Sequence, residues 1–597
     1  MANDSTRPRR PPGLRIRARA ALAAMALGLT ACGGGDPADT STTAAATESA
    51  SGRAQIQAVA GTTRDDAFRL LTQATFGPTE AEVQRVMALG AAGWVNAQIA
   101  TPQRGSHLTR WQADDARVRA ANPNGTAGAV ALASSFYQQA LGSDDQLRQR
   151  VAYALSQILV VSTVDLDGRR AASAASYLDM LSRNAFGNYR SLLEQVALHP
   201  AMGQYLSHLK NRAADPTTGR VPDQNFAREL MQLFSVGLVQ LQADGTPRLS
   251  GGLPMATYGL DDVEGLSQVM TGFSWGGAAT STFWGAGTVA DLTLPMRGYA
   301  FYHDTAAKQV LGSVLPARTP AQPLADLRAA LDLVAAHPSV GPFIGRQLIQ
   351  RLVTSHPSTA YVARVSAVWA DNGSGVRGDL AAVVRAILLD PEARRAPTDG
   401  RGGKLREPLL RELAVMRAFG ARSASGLALV GLNDDPATST GQSPLRAPSV
   451  FNFYRPGYVP SEGQAGALGM TVPELQTTTE TSVAGQVRHL MRLVTVGVGR
   501  KGFLDTGTAP DLTLPLSTLS AQAATPATLV DTVCARLLGP AATTALKSAL
   551  VSGVQSLPVP KLRADRSNQA AVDAALLARV QLAVLMVGAS PEFIVQK

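Results

Sequence analysis

Residues 223–237 read "DQNFARELMQLFSVG". At about 100° per residue, Phe226, Ala227, Leu230, Met231, Leu233 and Phe234 gather on one side, and Asn225, Arg228, Gln232 and Ser235 take the other. Glu229 falls at the edge of the apolar arc, four residues after Asn225 and stacked beside it. Gly237 supplies a stop. The stretch is an amphipathic helix whose polar stripe reads first as a solvated face. The same period runs through "DDAFRLLTQATFG", "TEAEVQRVMALG", "LRQRVAYALSQILVVS", "YRSLLEQVALHPAMGQYLSHL", "FIGRQLIQRLV", "DLAAVVRAILLDPEARR" and "AAVDAALLARVQLAVLMVGASPEF". Thr79 and Glu82 have capping-box spacing, with Gly90 as the expected end of that helix. The pattern predicts a mainly α fold, a large multi-helix bundle without a fixed-period repeat.

Two regions break the period. Residues 274–302 mix Gly, Thr, Trp and Tyr with short alternation, which predicts a short β-rich or irregular insertion. Residues 421–475 are rich in Gly, Pro and Ser and include "SPLRAPSVFNFYRPGYVPSEG", whose prolines and aromatics favour an ordered wrapping loop over a free linker. The chain divides into a leader (1–31), a tether (32–62), a helical core (63–420), an irregular wrapping loop (421–480) and a C-terminal helical subdomain (481–597).

With 597 residues, 45% apolar and 17% charged, the chain can bury a sizeable core, and disorder throughout is excluded. Aromatics are only 5%, so Ala, Leu and Val must build most of that core. The formal charge is +10, but residues 1–31 hold six Arg and one Asp. Elsewhere the cations are scattered among acids without runs or interleaved aromatics, which argues against nucleic acid as a partner. There are two cysteines, Cys32 and Cys534, so no disulfide framework exists within the body and zinc through paired cysteines is excluded. Cys534 sits in "LVDTVCARLLGP" and reads as a buried core thiol.

The first residues have the layout of an export signal. An Arg-rich stretch precedes the apolar run Ala20–Leu29, too short to span a bilayer permanently. Leu29-Thr30-Ala31-Cys32 resembles a bacterial lipobox, which implies cleavage before Cys32 and lipidation of its thiol. By the same resemblance, Gly33 in place of Asp disfavours retention in the inner membrane. The expected location is the cell envelope, at the outer membrane facing periplasm or surface, with the membrane held through the lipid anchor. Residues 33–62 are Gly, Ser, Thr and Ala with few large apolar side chains, a flexible coil spanning roughly 30 Å.

Several short motifs carry chemistry elsewhere. Gly272-Phe273-Ser274-Trp275-Gly276 matches the nucleophile elbow of serine hydrolases, but a helical stretch precedes it and no helix start follows. Ser207 and Lys210 match S-x-x-K, which on a helix puts both on one face. Asp261 and Asp262 open a helix, with Asp261 and Glu264 at capping-box spacing. His199 and His337 each precede Pro at a helix end, where an imidazole can bond terminal carbonyls.

Long phrases of the chain together resemble a bacterial family, domain of unknown function 1800. They are "RLLTQATFGPT", "LRQRVAYALSQILVVS", "NAFGNYRSLLEQVALHPAMGQYL", "NFARELMQLFSVG", "TYGLDDVEGLSQVMTGFSW", "HDTAAKQVLG", "APSVFNFYRPGY" and "SPEFIVQK", spread from about residue 66 to 597. The resemblance implies a mostly helical, exported protein and a secreted sulfatase-like partner. It implies no mechanism. Glu229, Asp262 and His303 all fall inside these phrases. Two carboxylates and an imidazole can hold a divalent metal ion with positions open to water, and Asn225 stands beside Glu229.

Three readings of function follow. The first is a lipid-anchored envelope protein that binds or scaffolds a secreted partner or envelope polymer. The second is a metal-dependent envelope hydrolase using Glu229, Asp262 and His303, with Asn225 nearby. The third is a serine hydrolase using Ser274. A cleft in which Glu229, Asp262, His303 and Asn225 converge favours an enzyme, and a broad exposed patch around 449–458 with no polar cleft favours a binding module.

Overall fold

The computed structural model describes residues 61–164, 170–277, 283–285, 288, 291–397, 402–500 and 509–597. The leader, Cys32 and the tether up to residue 60 lie outside these. Helices dominate, as the periodicity predicts. The first half holds α1 (Arg64–Ala74), α2 (Glu80–Ala100), α3 (His107–Ala121), α4 (Gly128–Gly142), α5 (Gln146–Ser156), α6 (Ala171–Arg183), α7 (Tyr189–Leu198), α8 (Pro200–Tyr205), α9 (Asn225–Gln232) and α10 (Leu260–Val269). The second half holds α11 (Pro323–Ala336), α12 (Val340–Leu352), α13 (Thr359–Ala370), α14 (Leu380–Leu389), α15 (Pro391–Arg394), α16 (Pro408–Ala418), α17 (Gly463–Ala467), α18 (Glu480–Thr495), α19 (Pro526–Leu537), α20 (Thr544–Gln555), α21 (Gln569–Gly588) and α22 (Pro591–Ile594).

The strands among the described residues are two-stranded antiparallel pairs of two or three residues: β1 (Leu249–Ser250) with β2 (Leu253–Pro254), β3 (Phe273–Ser274) with β4 (Arg297–Gly298), β5 (Lys308–Val310) with β6 (Ser313–Leu315), β7 (Lys404–Leu405) with β10 (Val595–Gln596), and β8 (Arg422–Ser423) with β9 (Leu512–Thr513). They staple loops to the helices. The insertion near 274–302 is anchored by the β3–β4 pair.

Residues Ala58–Lys597 form one compact unit. One continuous core runs through it, built mostly from Ala, Leu and Val with Trp94, Trp111 and Trp369 fully buried. Helix α21 is long and apolar enough to cross a membrane, with mean hydropathy 1.8, and it packs here against α18, α19 and α20. Cys534 is buried in α19, as its context predicts, and burial pushes its thiol up to about 11.

Local signals differ from expectation in instructive ways. Thr79 caps α2 through the Glu82 amide, but the Glu82 carboxylate takes the Trp94 indole N–H at 2.8 Å instead of closing the box. Gly90 (φ 73°) kinks α2 without ending it, and the helix resumes to Ala100. At α10 the cap is Gly259, and Asp262, not Asp261, accepts its N–H at 2.9 Å. His199 and His337 do cap, but as acceptors. Their Nδ1 atoms receive the amides of Ala201 and Ser339, so they serve the turns that follow rather than the carbonyls that precede.

Strand β10 reaches back to the end of α12. Its last carbonyls, Leu352 and Val353, accept from the Gln596 side-chain amide at 3.2 and 3.1 Å. Helix ends leave such carbonyls without intrahelical donors, and here a residue on β10 supplies them.

Candidate functional site

The three residues grouped for a metal are engaged separately. Glu229 is buried rather than solvated, and its Oε2 has no hydrogen-bond partner. Burial raises its pKa, opposed by Arg228. Both oxygens of Asp262 face donors, the Gly259 amide on one side and the Gly312 amide and Gln309 side chain on the other. His303 places Nδ1 at 2.8 Å from the Thr271 carbonyl and Nε2 at 3.1 Å from Asp326. Both of its nitrogens therefore lie at hydrogen-bond distance from protein oxygens. Among the described residues no three His, Cys, Asp or Glu side chains are placed to share an ion. Asn225 is exposed, with its amide 3.5 Å from the Ser207 hydroxyl. The true company of His303 is Asp326, which also accepts from Lys308 at 2.9 Å and Arg318 at 2.6 Å. Burial opposes this carboxylate, but hydrogen bonds from Lys308, His303 and Arg318 and the Lys308 charge hold its pKa below the usual range.

Ser274 is fully buried and gives its hydroxyl proton to the Phe283 carbonyl at 2.7 Å. The flanking glycines serve close packing. A Cβ on Gly276 would sit 1.8 Å from the Pro295 carbonyl, and one on Gly272 2.8 Å from His303 Cβ. The motif records the passage of residues 295–303 against β3, not an elbow. Ser207 and Lys210 share no helix face either, because α8 stops at Tyr205 and both residues are left-handed (φ 61° and 67°).

A different constellation stands at the centre of the molecule. Helix α5 carries Arg150 and Tyr153, α12 carries Arg351, Glu407 is the residue before Pro408 of α16, and Tyr454 comes from the irregular 421–475 region. Arg150 and Arg351 are each 1% exposed and Glu407 is fully buried. One oxygen of Glu407 collects four donors: Gln157 and Gln442 amides at 2.6 Å, and the Tyr153 and Tyr454 hydroxyls at 3.1 Å. Gln442 is held in register by accepting the Leu409 amide, the first free N–H of α16. Each guanidinium ties to the other's segment: Arg150 donates to the Arg351 carbonyl at 2.5 Å, and Arg351 to the Gln157 carbonyl at 3.3 Å. The Arg351 guanidinium lies 4.7 Å from the Tyr454 ring centre, a cation–π contact.

The electrostatics follow from burial. Desolvation lowers the Arg150 pKa, and the Glu407 carboxylate works against that loss. Burial, reinforced by Glu407, lifts both tyrosine hydroxyls far above the phenol range, so they act as donors. Nε and Nη1 of both arginines, and Oε1 of Glu407, have no hydrogen-bond partner among the described residues. Such groups are costly when buried.

Arg351, Tyr454 and Gln157 of this centre line a cleft of about 490 Å³. Phe343, Gln347 and Arg351 line it at four-residue spacing on α12. The end of α9 and Gly237–Val239 make one wall, and Val450, Phe451 and Tyr454–Pro456 make the other. Gly237 (φ 73°) lets the backbone turn against Phe343, where a Cβ would meet the ring at 2.9 Å. Gln347 Nε2 also lacks an acceptor. Arg351 and Arg455 line the cleft, and no carboxylate does. Ser162 and Thr163 bind the carbonyls of Ala447 and Leu445, which moors the aromatic wall to the segment after α5.

Fold and site together define a helical protein with a cation-floored, apolar-walled cleft. The phrases "LRQRVAYALSQILVVS", "NFARELMQLFSVG", "FIGRQLIQRLV" and "APSVFNFYRPGY" meet there. The chain belongs to the family described as "Protein of unknown function (DUF1800)", whose profile matches residues 69–595. No curated protein and no solved structure matches the chain.

Proposed function

We propose that this chain is an exported, lipid-anchored envelope protein that captures an acidic, otherwise apolar segment of a secreted partner in the α9–α12 cleft. The carrying observation is the cleft's lining: Arg351 and Arg455 are its charged residues, the walls are largely apolar, and Gln347 Nε2 and Arg351 Nε and Nη1 have no acceptor among the described residues. A carboxylate held by a buried guanidinium contributes more than one in water, because the surroundings screen it less. The leader and Cys32 support the anchored location, and the sulfatase-like partner implied by the family resemblance is the proposed source of the segment.

The test uses a short Leu- and Ala-containing peptide with a free terminal carboxylate, and its amide, titrated into the full chain. The acid should bind at least about tenfold more tightly, from a charge-assisted bond of roughly 1.5–3 kcal/mol. Arg351→Met should erase the difference. Gln347→Leu should reduce it without removing a buried charge. Equal affinities for acid and amide in the unaltered protein defeat the reading. For the anchor, Cys32→Ala should move the protein from the membrane fraction to the soluble one.

A further inference from the structure

A second pocket lies against α16. It has a volume of about 190 Å³ and lies between α16, α18 and residues 588–594. Most of its lining is apolar, including Val415, Val487, Leu490 and Phe593. Its polar residues sit side by side on α16 and α18. His489 gives Nε2 to Glu412 at 2.7 Å, and the other Glu412 oxygen accepts the Tyr137 hydroxyl at 2.6 Å. Glu412 also lines the pocket, and each of its oxygens already takes a donor. Arg411 donates Nη2 to the Gln486 carbonyl oxygen at 2.7 Å, which fixes that amide with its NH₂ on the other side.

Donors without acceptors remain. Arg411 Nε and Gln486 Nε2 are both buried with no partner, and both residues line the pocket. His489 lines it as well, and its Nδ1 makes no hydrogen bond among the described residues. With Nε2 facing a carboxylate, a protonated His489 presents Nδ1–H to the pocket. Burial opposes that charge, but Glu412 outweighs it and the pKa is raised. Burial lowers Arg411 only to about 10, so it stays cationic at neutral pH. A cation and an amide at the head of a small apolar pocket match a ligand with one negative end and a short hydrocarbon body. A cavity of about 150 Å³ takes benzene, so this one suits a chain of roughly six carbons.

We propose that this pocket binds a short-chain aliphatic carboxylate, its head held by Arg411, Gln486 and His489 and its tail among Val487, Leu490 and Phe593. The site is separate from the cleft and independent of the function proposed for it.

Isothermal titration calorimetry of the full chain with sodium hexanoate and 1-hexanol tests this. Hexanoate should bind about tenfold or more tightly than the alcohol. Arg411→Met should remove that preference while the alcohol still binds. Leu490→Trp, filling the pocket, should abolish both. Arg351→Met, in the other cleft, should leave hexanoate binding unchanged. Gln486→Leu gives the same test as Arg411→Met if the latter does not fold, with circular dichroism as the check. Equal binding of acid and alcohol, hexanoate binding that survives Leu490→Trp, or no hexanoate binding at millimolar concentration overturns the proposal.

Discussion

The Arg150–Glu407 pair offers a decisive test of the central site. Both are almost wholly buried, and Glu407 is the carboxylate that opposes the desolvation of Arg150. The two make no direct ion-pair contact, so removing one strips the other of a longer-range attraction inside a buried site, which costs about 1–3 kcal/mol. Glu407→Gln also weakens the four bonds to Oε2, from the charge-assisted range of about 1.5–3 kcal/mol toward about 1. Arg150→Met removes the cation but keeps an unbranched apolar stem. Removing both members loses that attraction only once, so the double variant should be milder than the sum. The expected coupling is about 1–3 kcal/mol. The measurement is urea unfolding of all four proteins, followed by fluorescence of buried tryptophans such as Trp94 and Trp369, at unchanged denaturant slope. Additivity within about 0.5 kcal/mol refutes the pairing.

Three further outcomes follow from the geometry. His489 has its pKa raised by Glu412 against burial and Arg492, so its stabilising contribution is full below about 6.5 and fades as pH rises through the raised value. Glu412→Gln should flatten that part of the stability–pH profile, and an unchanged profile speaks against the pair. Asp326→Asn strands Lys308 beside His303 and should destabilise by about 3–5 kcal/mol, read as a lower urea midpoint. Because the Asp326 pKa is lowered, its contribution is present above the ordinary carboxyl range and lost as pH falls through its folded value. Cys534, with its thiol pushed up to about 11, should escape iodoacetamide at pH 8 until denaturant is added; peptide mapping by mass spectrometry distinguishes it from Cys32.

Helical periodicity carried the fold well because each apolar arc needs only local spacing. In residues 223–237 the arc names Phe226, Ala227, Leu230, Met231, Leu233 and Phe234, and all are fully buried except Leu233, which is partly buried. Glu229 misled, since a helix flanked by α10 and packed loops covers the edges of its arc as well as the centre. Glu229, Asp262 and His303 have separate surroundings for a related reason: membership in neighbouring phrases says nothing about which way side chains point. Sequence reasoning passed over the cleft, although a local signal existed. Arg150 follows Leu147 by three and precedes Ala154 by four, which sets a charge on an apolar face. Arg351 stands likewise three after Leu348. A cation on a buried stripe asks for an anion, but nothing local identifies Glu407, which lies 257 positions beyond Arg150 and outside the family-like phrases.

The bond from Gln596 to the end of α12 sets a schedule. A chain made from its N-terminus outward forms α12 and exposes Arg351 long before residue 596 exists. The partners are 244 residues apart, so at roughly 5–20 residues per second the wait is about 10–50 s. Through that interval the last turn of α12 depends on water, and β7 waits for β10. The Arg351 end of α12 is therefore finished late, well after the helix itself is made.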